Sequence, residues 1–562
     1  MDTILAKARE YIAREQDAAF RSEVQELIDR NNIDGLNDRF FMDLEFGTGG
    51  LRGIIGGGYN RMNPYTVARA TQGLADYIKK DRPAASASAV IACDSRRCSD
   101  LFALQAARVF CGNGIKTYLF SALRPAPELS FAVRFLKAAA GIVITAGHNP
   151  PEYNGCKCYW DDGGQVVPPH DKGIITRVRA VTEIISMTKE KALSTGLLVM
   201  VDRAVDDAYI AAIKRQSLRP DLLRRQGHVL KVAYTPLHGA GGLAVDRVLS
   251  ELGVSVAFVE EQRRPDGNFP TVKVPDPEEA SGLAMVIALG GKIGADLVMG
   301  TDPDAGRLGI AVPNGNGFAL ITGNQLGALL LDYIANTRKE LGSMPKKPLF
   351  IKTVVASELQ RLIAESMGIR CIDVFTGFKD IGGEECGGCL SETEVCDNDA
   401  VSAAAMAAEM ALYHKSQGRS LLQRLQQIWQ QYGYFEEVRI TRAFNGESGC
   451  KAMAALMDAL RARPPEAFAG RKVAVFKDYK DGTVLDMISK KKEKCIELPS
   501  SNVLQLILCD GSIISARPSD AERLINFYVS CRDKAGVALD TAKKNVGARI
   551  AAVRRDVDRL TA

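Results

Sequence analysis

Apolar and polar positions follow two different periods along this chain. In the first forty residues, apolar side chains recur every three to four positions, which predicts amphipathic helices. From about residue 90, short apolar runs that end in polar residues alternate with helical segments. This rhythm predicts βαβ units, in which a mostly parallel sheet is covered by helices. The first three predicted strands are SAVIACDS, IKTYLF and AAAGIVITAG.

The rhythm occurs three times before it changes. Its second occurrence begins at HVLKVAYTPLHGAGG, and its third begins near Thr322 and includes PLFIKTVVASELQRLIAESMGI. From about residue 436, strands and helices follow one another without βαβ order, and a long terminal helix is predicted from Ser519 onward. The predicted fold class is therefore α/β, with three similar α/β (βαβ) domains and a smaller C-terminal α+β domain. The predicted domain boundaries are 1–200, 201–318, 319–436 and 437–562.

Composition narrows the classes of function. The 562 residues correspond to about four domains, and 46% hydrophobic with 25% charged residues is typical of globular proteins. A net charge of +5 is small for this length and argues against a nucleic-acid partner. The start of the chain lacks an apolar signal segment, and no apolar run reaches the roughly 18 residues of a membrane span. The 13 cysteines are then expected to be thiols in a reducing cytoplasm.

Two polar loops follow predicted buried strands, where open α/β sheets bind ligands. The first, residues 145–150, reads Thr-Ala-Gly-His-Asn-Pro, with Lys157 shortly after it. Taken alone, it is also typical of a plain Asn-Pro turn. The second holds Asp302 and Asp304, two carboxylates that could face one Mg²⁺ ion, followed by Arg307, which could bind a phosphate. Its plain alternative is a solvated acidic turn.

Two further loops carry weaker signals. Glu384 and Glu385 lie in a glycine-rich stretch and could accept hydrogen bonds from sugar hydroxyls. The nearby Cys386 and Cys389 form a C-x-x-C, which leaves a redox or metal role open. The stretch Arg517-Pro518-Ser519-Asp520 precedes the predicted terminal helix and could bind an anion, although the Asp520 carboxylate opposes this and Ser519 alone also suits a helix cap.

Taken in order, these motifs resemble the bacterial phosphoglucomutase/phosphomannomutase type of the α-D-phosphohexomutase superfamily. The resemblance implies four domains around a central cleft. It also implies an intramolecular phosphotransferase (isomerase) of carbohydrate metabolism, which interconverts hexose 1- and 6-phosphates through a phosphoserine, Mg²⁺ and a bisphosphorylated sugar. Hexose phosphates would be the partners, glucose 1,6-bisphosphate the primer, and the protein a monomer or dimer. The matching segments are LEFGTGGLRGI, LRPAPELSFAVR, ITAGHNPPEYNG, TPLHGAGG, PDGNFPTVK, TDPDAGR, FTGFK and ARPS.

The resemblance assigns a role to each matching position. The catalytic positions would be Gly147, His148, Lys157, Arg52 and His238. The metal positions would be Asp302, Asp304 and Gly306. The substrate-binding positions would be Asp94, Arg96, Arg307, Lys379, Glu384, Cys386, Arg517, Ser519 and Asp520.

Several of these positions depart from the family pattern. Gly147 stands where the phosphoserine belongs, and glycine has no side chain to phosphorylate. Gly306 replaces the third metal-binding aspartate, so any Mg²⁺ would be held weakly. Asp520 replaces a glycine of the phosphate loop. If its carboxylate lies about 4 Å from the substrate phosphate, the repulsion costs roughly 4 kcal/mol at an effective dielectric constant of 20.

Other departures cluster around the sugar loop. Cys386 replaces a serine, Cys396 replaces an arginine, and the stretch from Lys379 to Glu384 is shorter than in the family. Departures in four separate loops beside an intact scaffold predict a mutase that is impaired or inactive. Two alternatives stay open: an active phosphoglucomutase/phosphomannomutase, and a non-catalytic sugar-phosphate-binding or thiol-responsive protein. Phosphorylation of His148 in place of serine is a further alternative. It is weaker because His148 is one residue beyond the nucleophile position, so that its ring would point elsewhere.

Overall fold

A computed structural model describes residues 2–47, 50–375, 395–444, 446–519 and 524–561. They divide into two compact units. The first holds the described residues up to Leu326 together with residues 395–420. The second holds residues 327–375 and the described residues from Leu421 onward.

Three short helices open the first unit, as the periodicity predicts. Tyr11, Phe40 and Tyr59 pack edge to face, with ring centroids 5.6–5.9 Å apart, and form the centre of a small apolar cluster. Edge-to-face contacts suit the aromatic quadrupole and add to the gain from burying these rings. The helices are α1 (Asp2–Arg14), α2 (Ala18–Asp29) and α3 (Ile33–Phe40).

A six-stranded sheet follows, in the order β1-β5-β4-β2-β3-β6. Strands β2, β3, β4 and β6 are parallel, while β5 runs antiparallel to both β4 and β1. The sheet consists of β1 (Gly50–Ile54), β2 (Ser88–Cys93), β3 (Lys116–Phe120), β4 (Ala140–Ile144), β5 (Tyr153–Trp160) and β6 (Leu198–Val201). Its helices are α4 (Pro64–Asp81), α5 (Ser99–Gly112), α6 (Ala126–Phe135), α7 (His170–Ala180) and α8 (Lys189–Ser194).

A five-stranded sheet comes next, in the order β11-β10-β9-β7-β8. Strands β7, β8 and β9 are parallel, and β10 and β11 close the sheet as an antiparallel edge. The strands are β7 (Val232–Thr235), β8 (Val256–Phe258), β9 (Leu297–Thr301), β10 (Leu308–Asn314) and β11 (Gly317–Ile321). The helices are α9 (Arg203–Arg215), α10 (Pro220–Gln226), α11 (Gly241–Glu251), α12 (Glu260–Arg263) and α13 (Ala280–Ile293).

The second unit begins with a two-stranded parallel sheet and continues with an antiparallel sheet of eight strands. Its first part has α14 (Gly323–Glu340), which starts in the first unit, then β12 (Leu349–Thr353), α15 (Glu358–Ser366), β13 (Arg370–Val374) and α17 (Leu421–Tyr432). The eight strands are β14 (Phe435–Ala443), β15 (Ala467–Phe468), β16 (Arg471–Asp478), β17 (Thr483–Asp486), β18 (Lys492–Lys494), β19 (Leu504–Leu508), β20 (Ile513–Ser519) and β21 (Leu524–Arg532). Helices α18 (Gly446–Ala462) and α19 (Leu539–Thr561) accompany them.

The fold class predicted from the sequence is confirmed: three α/β segments precede a β-rich C-terminal region. The prediction of a terminal helix from Ser519 onward is wrong. Strand β20 ends at Ser519, β21 starts at Leu524, and the two pair antiparallel, so that Ser519 lies opposite Leu524. Side chains of β21 alternate between buried and half-buried positions, which is strand periodicity, and the helix begins only at Leu539. Ser519 is therefore a strand residue, and its interpretation as a helix cap is also wrong.

Helix α16 (Ala400–Ser416) belongs to the first unit, where it packs against α9, α10 and α11. Asp399 caps its N-terminus by accepting hydrogen bonds from the backbone N–H groups of Val401 and Ser402, both at 2.9 Å. The same Oδ1 accepts the Tyr209 hydroxyl at 2.9 Å, while Oδ2 is buried without a hydrogen-bond partner. Burial raises the pKa of Asp399 to about 6.

This raised pKa predicts a pH-dependent stability. The folded state keeps the Asp399 proton up to about pH 6, whereas the unfolded chain loses it near 3.8. Stability is therefore fully present below pH 3.8 and falls as the pH rises to 6, by on the order of 3 kcal/mol at most. Asp399→Asn keeps a capping oxygen but cannot ionise. The melting temperature of this variant minus that of the wild type should therefore rise between pH 4 and 6 and stay constant above pH 6. A constant difference between pH 4 and 6 would contradict the assignment.

Candidate active site

The ends of two parallel strands bring the first site residues together. Asp94 follows β2, and Thr145 follows β4, its neighbour in the sheet. Both side chains are buried, and the Thr145 hydroxyl donates to Asp94 Oδ2 at 2.6 Å. The same hydroxyl accepts the backbone N–H of Gly147 at 2.9 Å. Thr145 thus fixes the start of the 145–150 loop.

The Arg96 guanidinium fixes the rest of that loop. Nη1 donates to the carbonyls of Pro150 (2.8 Å) and Tyr153 (3.0 Å), and Nη2 donates to those of Gly147 (2.6 Å) and Asn149. The side chain is fully buried, with Nε 3.5 Å from Asp94 Oδ2. Burial disfavours the charged form of both side chains, so it lowers the pKa of Arg96 and raises the pKa of Asp94. Each of these four hydrogen bonds goes to a backbone carbonyl of the loop, so they do not depend on which side chains the loop carries.

Gly147 adopts a left-handed conformation, with φ of +55°. A Cβ added here would lie 3.5 Å from Asp302 Oδ2 and 3.8 Å from Asp304 Oδ2, which is ordinary van der Waals contact. Position 147 therefore faces the two carboxylates of the second loop. Any side chain here is strained by about 1 kcal/mol or more, because L residues rarely adopt this φ.

The second loop connects β9 to β10 and holds Asp302 and Asp304, both buried. Asp302 Oδ1 accepts the backbone N–H of Arg307 at 2.8 Å. Asp304 Oδ1 accepts that of Gly306 at 3.3 Å, and its Oδ2 accepts the Lys157 ammonium at 2.6 Å. A Cβ added at Gly306 would lie 3.3 Å from Asp304 Oδ1, so a larger residue there requires the Asp304 carboxylate to move.

The two carboxylates differ in their electrostatics. Burial and the neighbouring Asp304 charge raise the pKa of Asp302 well above its usual range. Burial acts on Asp304 in the same direction, but the Lys157 ammonium outweighs it and lowers the pKa of Asp304. Burial would lower the pKa of Lys157, but the carboxylates of Asp304 and Asp397 raise it. Of the two carboxylates, Asp304 is therefore the ionised one, and the Lys157 ammonium neutralises its charge.

Two predicted residues have partners within the protein. The Arg307 guanidinium lies 3.5 Å from Glu278 Oε2 and 3.8 Å from Asp276 Oδ2. The buried His238 ring pairs with Thr271 Oγ1 at 2.9 Å and with the Arg264 carbonyl at 3.2 Å.

The segment that His238 holds lies directly against Arg96. It packs the Phe269 ring 5.0 Å from the Arg96 guanidinium carbon. Gly267 pairs with Arg96 in a β-bridge so close that a Cβ would lie 2.5 Å from backbone atoms of Ser95 and Arg97. His238 therefore helps to hold the 264–271 segment against Arg96, and the catalytic role that the resemblance assigns to His238 stays a prediction.

The remaining predicted residues of the first unit lie at the edge of this site. Arg52 lies on β1, and its Nη1 donates to Asn149 Oδ1 at 3.3 Å. His148 is half-buried in the same turn. The resemblance assigns catalytic roles to both, and those roles stay predictions.

No sequence pattern pointed to Asp397. It accepts hydrogen bonds from the Tyr159 hydroxyl and from Gln165 Nε2 (3.1 Å), and its charge acts on Lys157. Tyr159 lies 238 residues from Asp397 along the chain. Because Tyr159 and Lys157 are two residues apart on β5, they share one face of the sheet, opposite the buried Cys156 and Cys158.

The other predicted positions lie either outside the described residues or in the second unit. Lys379, Glu384, Cys386 and Asp520 lie outside the described residues. Arg517 and Ser519 lie on β20, in the second unit. Their proposed contacts with substrate stay predictions.

Comparison with known proteins identifies the family. The sequence profiles of the phosphoglucomutase/phosphomannomutase alpha/beta/alpha domains I, II and III match residues 43–184, 207–315 and 322–432. Solved structures with a similar fold include a putative phosphomannomutase from Thermus thermophilus (TM-score 0.68, 21% identity, 92% of this chain and 99% of that one). Parafusin, a phosphoglucomutase from Paramecium, has a TM-score of 0.69 at 17% identity over 92% and 95% of the two chains.

Curated relatives match over nearly the whole length. The phosphoglucomutase of Staphylococcus aureus (strain USA300) is 33% identical over 547 residues, which span 93% of this chain and 95% of the relative. That of Staphylococcus haemolyticus is 32% identical over 512 residues, or 87% and 91% of the two chains. The chain therefore belongs to the phosphoglucomutase/phosphomannomutase family.

Proposed function

We propose that this chain binds hexose phosphates at its family site but does not interconvert them through a phosphoenzyme. The family reaction moves a phosphoryl group between the 1- and 6-positions of a hexose. The observation that carries the proposal is the direction of position 147, where a Cβ would face Asp302 and Asp304 at 3.5–3.8 Å. Glycine offers no hydroxyl at the point where the resemblance places the nucleophile, so no covalent intermediate forms there.

The donor set also does not fit the Mg²⁺ that the resemblance implies. Mg²⁺ requires near-octahedral oxygen coordination. Gly306 supplies no carboxylate, and Asp304 is already bonded to Lys157 at 2.6 Å. Among the described residues, no group of three His, Cys, Asp or Glu side chains is placed to hold a metal ion. No step of the proposed function depends on a metal or on the glucose 1,6-bisphosphate primer.

An active mutase is the second candidate, and the Staphylococcus relatives favour it because they are named phosphoglucomutases at 32–34% identity. A thiol-responsive role is the third, but Cys386 and Cys389 lie outside the described residues. The location that we propose is the cytoplasm, because the sequence has many cysteines and the pattern does not suggest a disulfide framework. No described helix is long and apolar enough to cross a membrane.

The proposal predicts weak, salt-sensitive binding of glucose 6-phosphate. Arg52, Lys379 and Arg517 retain positive charge at family positions, but Arg307 lies beside Asp276 and Glu278. Calorimetry at low and at roughly tenfold higher NaCl concentration should give an affinity that falls with salt, because screening weakens exposed charge pairs. Arg517→Gln should weaken binding further, whereas Arg439→Gln, on β14, should not. Tight binding that is insensitive to salt would contradict this account.

The proposal also predicts that no single reversion restores turnover. Conversion of glucose 1-phosphate to glucose 6-phosphate, assayed with Mg²⁺ and glucose 1,6-bisphosphate, should be undetectable for the unmodified chain, because phosphate esters react extremely slowly without catalysis. Gly147→Ser leaves an incomplete metal site, and Gly306→Asp leaves no nucleophile. Groups that act as one unit are strongly non-additive. Rescue should need Gly147→Ser, Gly306→Asp and Asp520→Gly together, and further gain is expected from Ala521→Thr and Cys386→Ser.

The same assay distinguishes the candidates. Turnover by the unmodified chain would establish the active mutase. Turnover by Gly147→Ser alone would show that the other departures matter little.

A further inference from the structure

Lys157 occupies an unusual position for a cation. Strand β5 is paired on both sides, with β1 and β4, so its backbone is fixed. The buried Cys156 and Cys158 set the pleat, which directs Lys157 to the opposite face, toward the loop between β9 and β10. There its Nζ lies 2.6 Å from Asp304 Oδ2, and Asp304 is 1% exposed.

The other contacts of the carboxylate pair also come from the protein. Asp304 Oδ1 accepts the Gly306 N–H, and Thr145 Oγ1 lies 3.3 Å from Asp304 Oδ2. Asp302 Oδ1 accepts the Arg307 N–H. A buried charge is costly unless it is paired and hydrogen-bonded, and both conditions are met here by protein groups.

We propose that the Lys157 ammonium is the permanent counter-cation of the Asp302–Asp304 pair and that this site takes no divalent cation. Lys157 can balance the site alone because two acidic groups that the family resemblance implies are missing: neither Gly147 nor Gly306 contributes a negative group. With fewer acidic groups in the site, the single Lys157 ammonium, 2.6 Å from Asp304 Oδ2, can serve as its counter-cation. A divalent cation would have to displace Lys157 from Asp304, the one carboxylate among the described residues with which it forms a salt bridge, or bind beside a like charge.

Metal titration tests this directly, with Mn²⁺ as the probe and no sugar present. The unmodified chain should leave the electron paramagnetic resonance signal of free Mn²⁺ unchanged, and MgCl₂ should not raise its melting temperature relative to NaCl of equal ionic strength. Lys157→Met leaves the carboxylate pair without its cation. This variant should melt at a lower temperature, recover on addition of millimolar Mn²⁺ or Mg²⁺, and reduce the free Mn²⁺ signal.

A matched control is available in the same unit. Lys415 Nζ also lies 2.6 Å from a carboxylate oxygen, that of Asp296, but this pair is more exposed. Lys415→Met should show no metal-dependent melting temperature. Lys157→Arg keeps the positive charge and should remain insensitive to metal.

Two results would overturn the proposal: saturable Mn²⁺ binding by the unmodified chain, or a Lys157→Met variant that is as stable as the wild type and binds no metal. If Lys157→Met does not fold, the titrations of the unmodified chain and of Lys157→Arg still decide the question. Because no sugar phosphate enters these measurements, their outcome is independent of whether the chain binds or converts hexose phosphates.

Discussion

The buried guanidinium of Arg96 is the contact on which the rest of the site depends. It pairs with Asp94 and donates to four backbone carbonyls of the segment between Gly147 and Tyr153, while Phe269 packs against its face. A buried cation without such partners would cost several kcal/mol. The end of β2, the loop after β4 and the segment that His238 holds are thus fixed by one side chain.

Under the proposed function, this arrangement explains how the loop can keep its geometry without its reactive group. The loop at Gly147 is held by its backbone N–H, bonded to Thr145, and by its carbonyl, bonded to Arg96. Neither bond involves a side chain at position 147, so a change from serine to glycine removes a reactive group without removing a structural one. The carboxylates that remain are neutralised by Lys157. Under the proposed function, the site keeps its shape and its internal charge balance but lacks the nucleophile that the family resemblance places at position 147.

Sequence periodicity predicted the helices and strands of the α/β segments, because buried parallel strands and amphipathic helices carry strong patterns. It failed after Ser519, where the alternating LINFYVSCR segment forms β21 rather than helix, paired with strands that include the distant β14. Motifs placed Asp302, Asp304, Lys157 and Arg96 in the site. They did not reveal the bond between Lys157 and Asp304, or the contact of Asp397 with Tyr159, because such contacts join segments separated by more than a hundred residues.

The central claim is that this scaffold no longer carries a phosphoryl group, and intact-mass spectrometry tests it most directly. The purified chain is incubated with glucose 1,6-bisphosphate and Mg²⁺ and measured at neutral pH, alongside its Gly147→Ser variant. The account predicts that the unmodified chain gains no phosphoryl group. A stoichiometric gain on the unmodified chain, on His148 or on any other residue of the site, would contradict it.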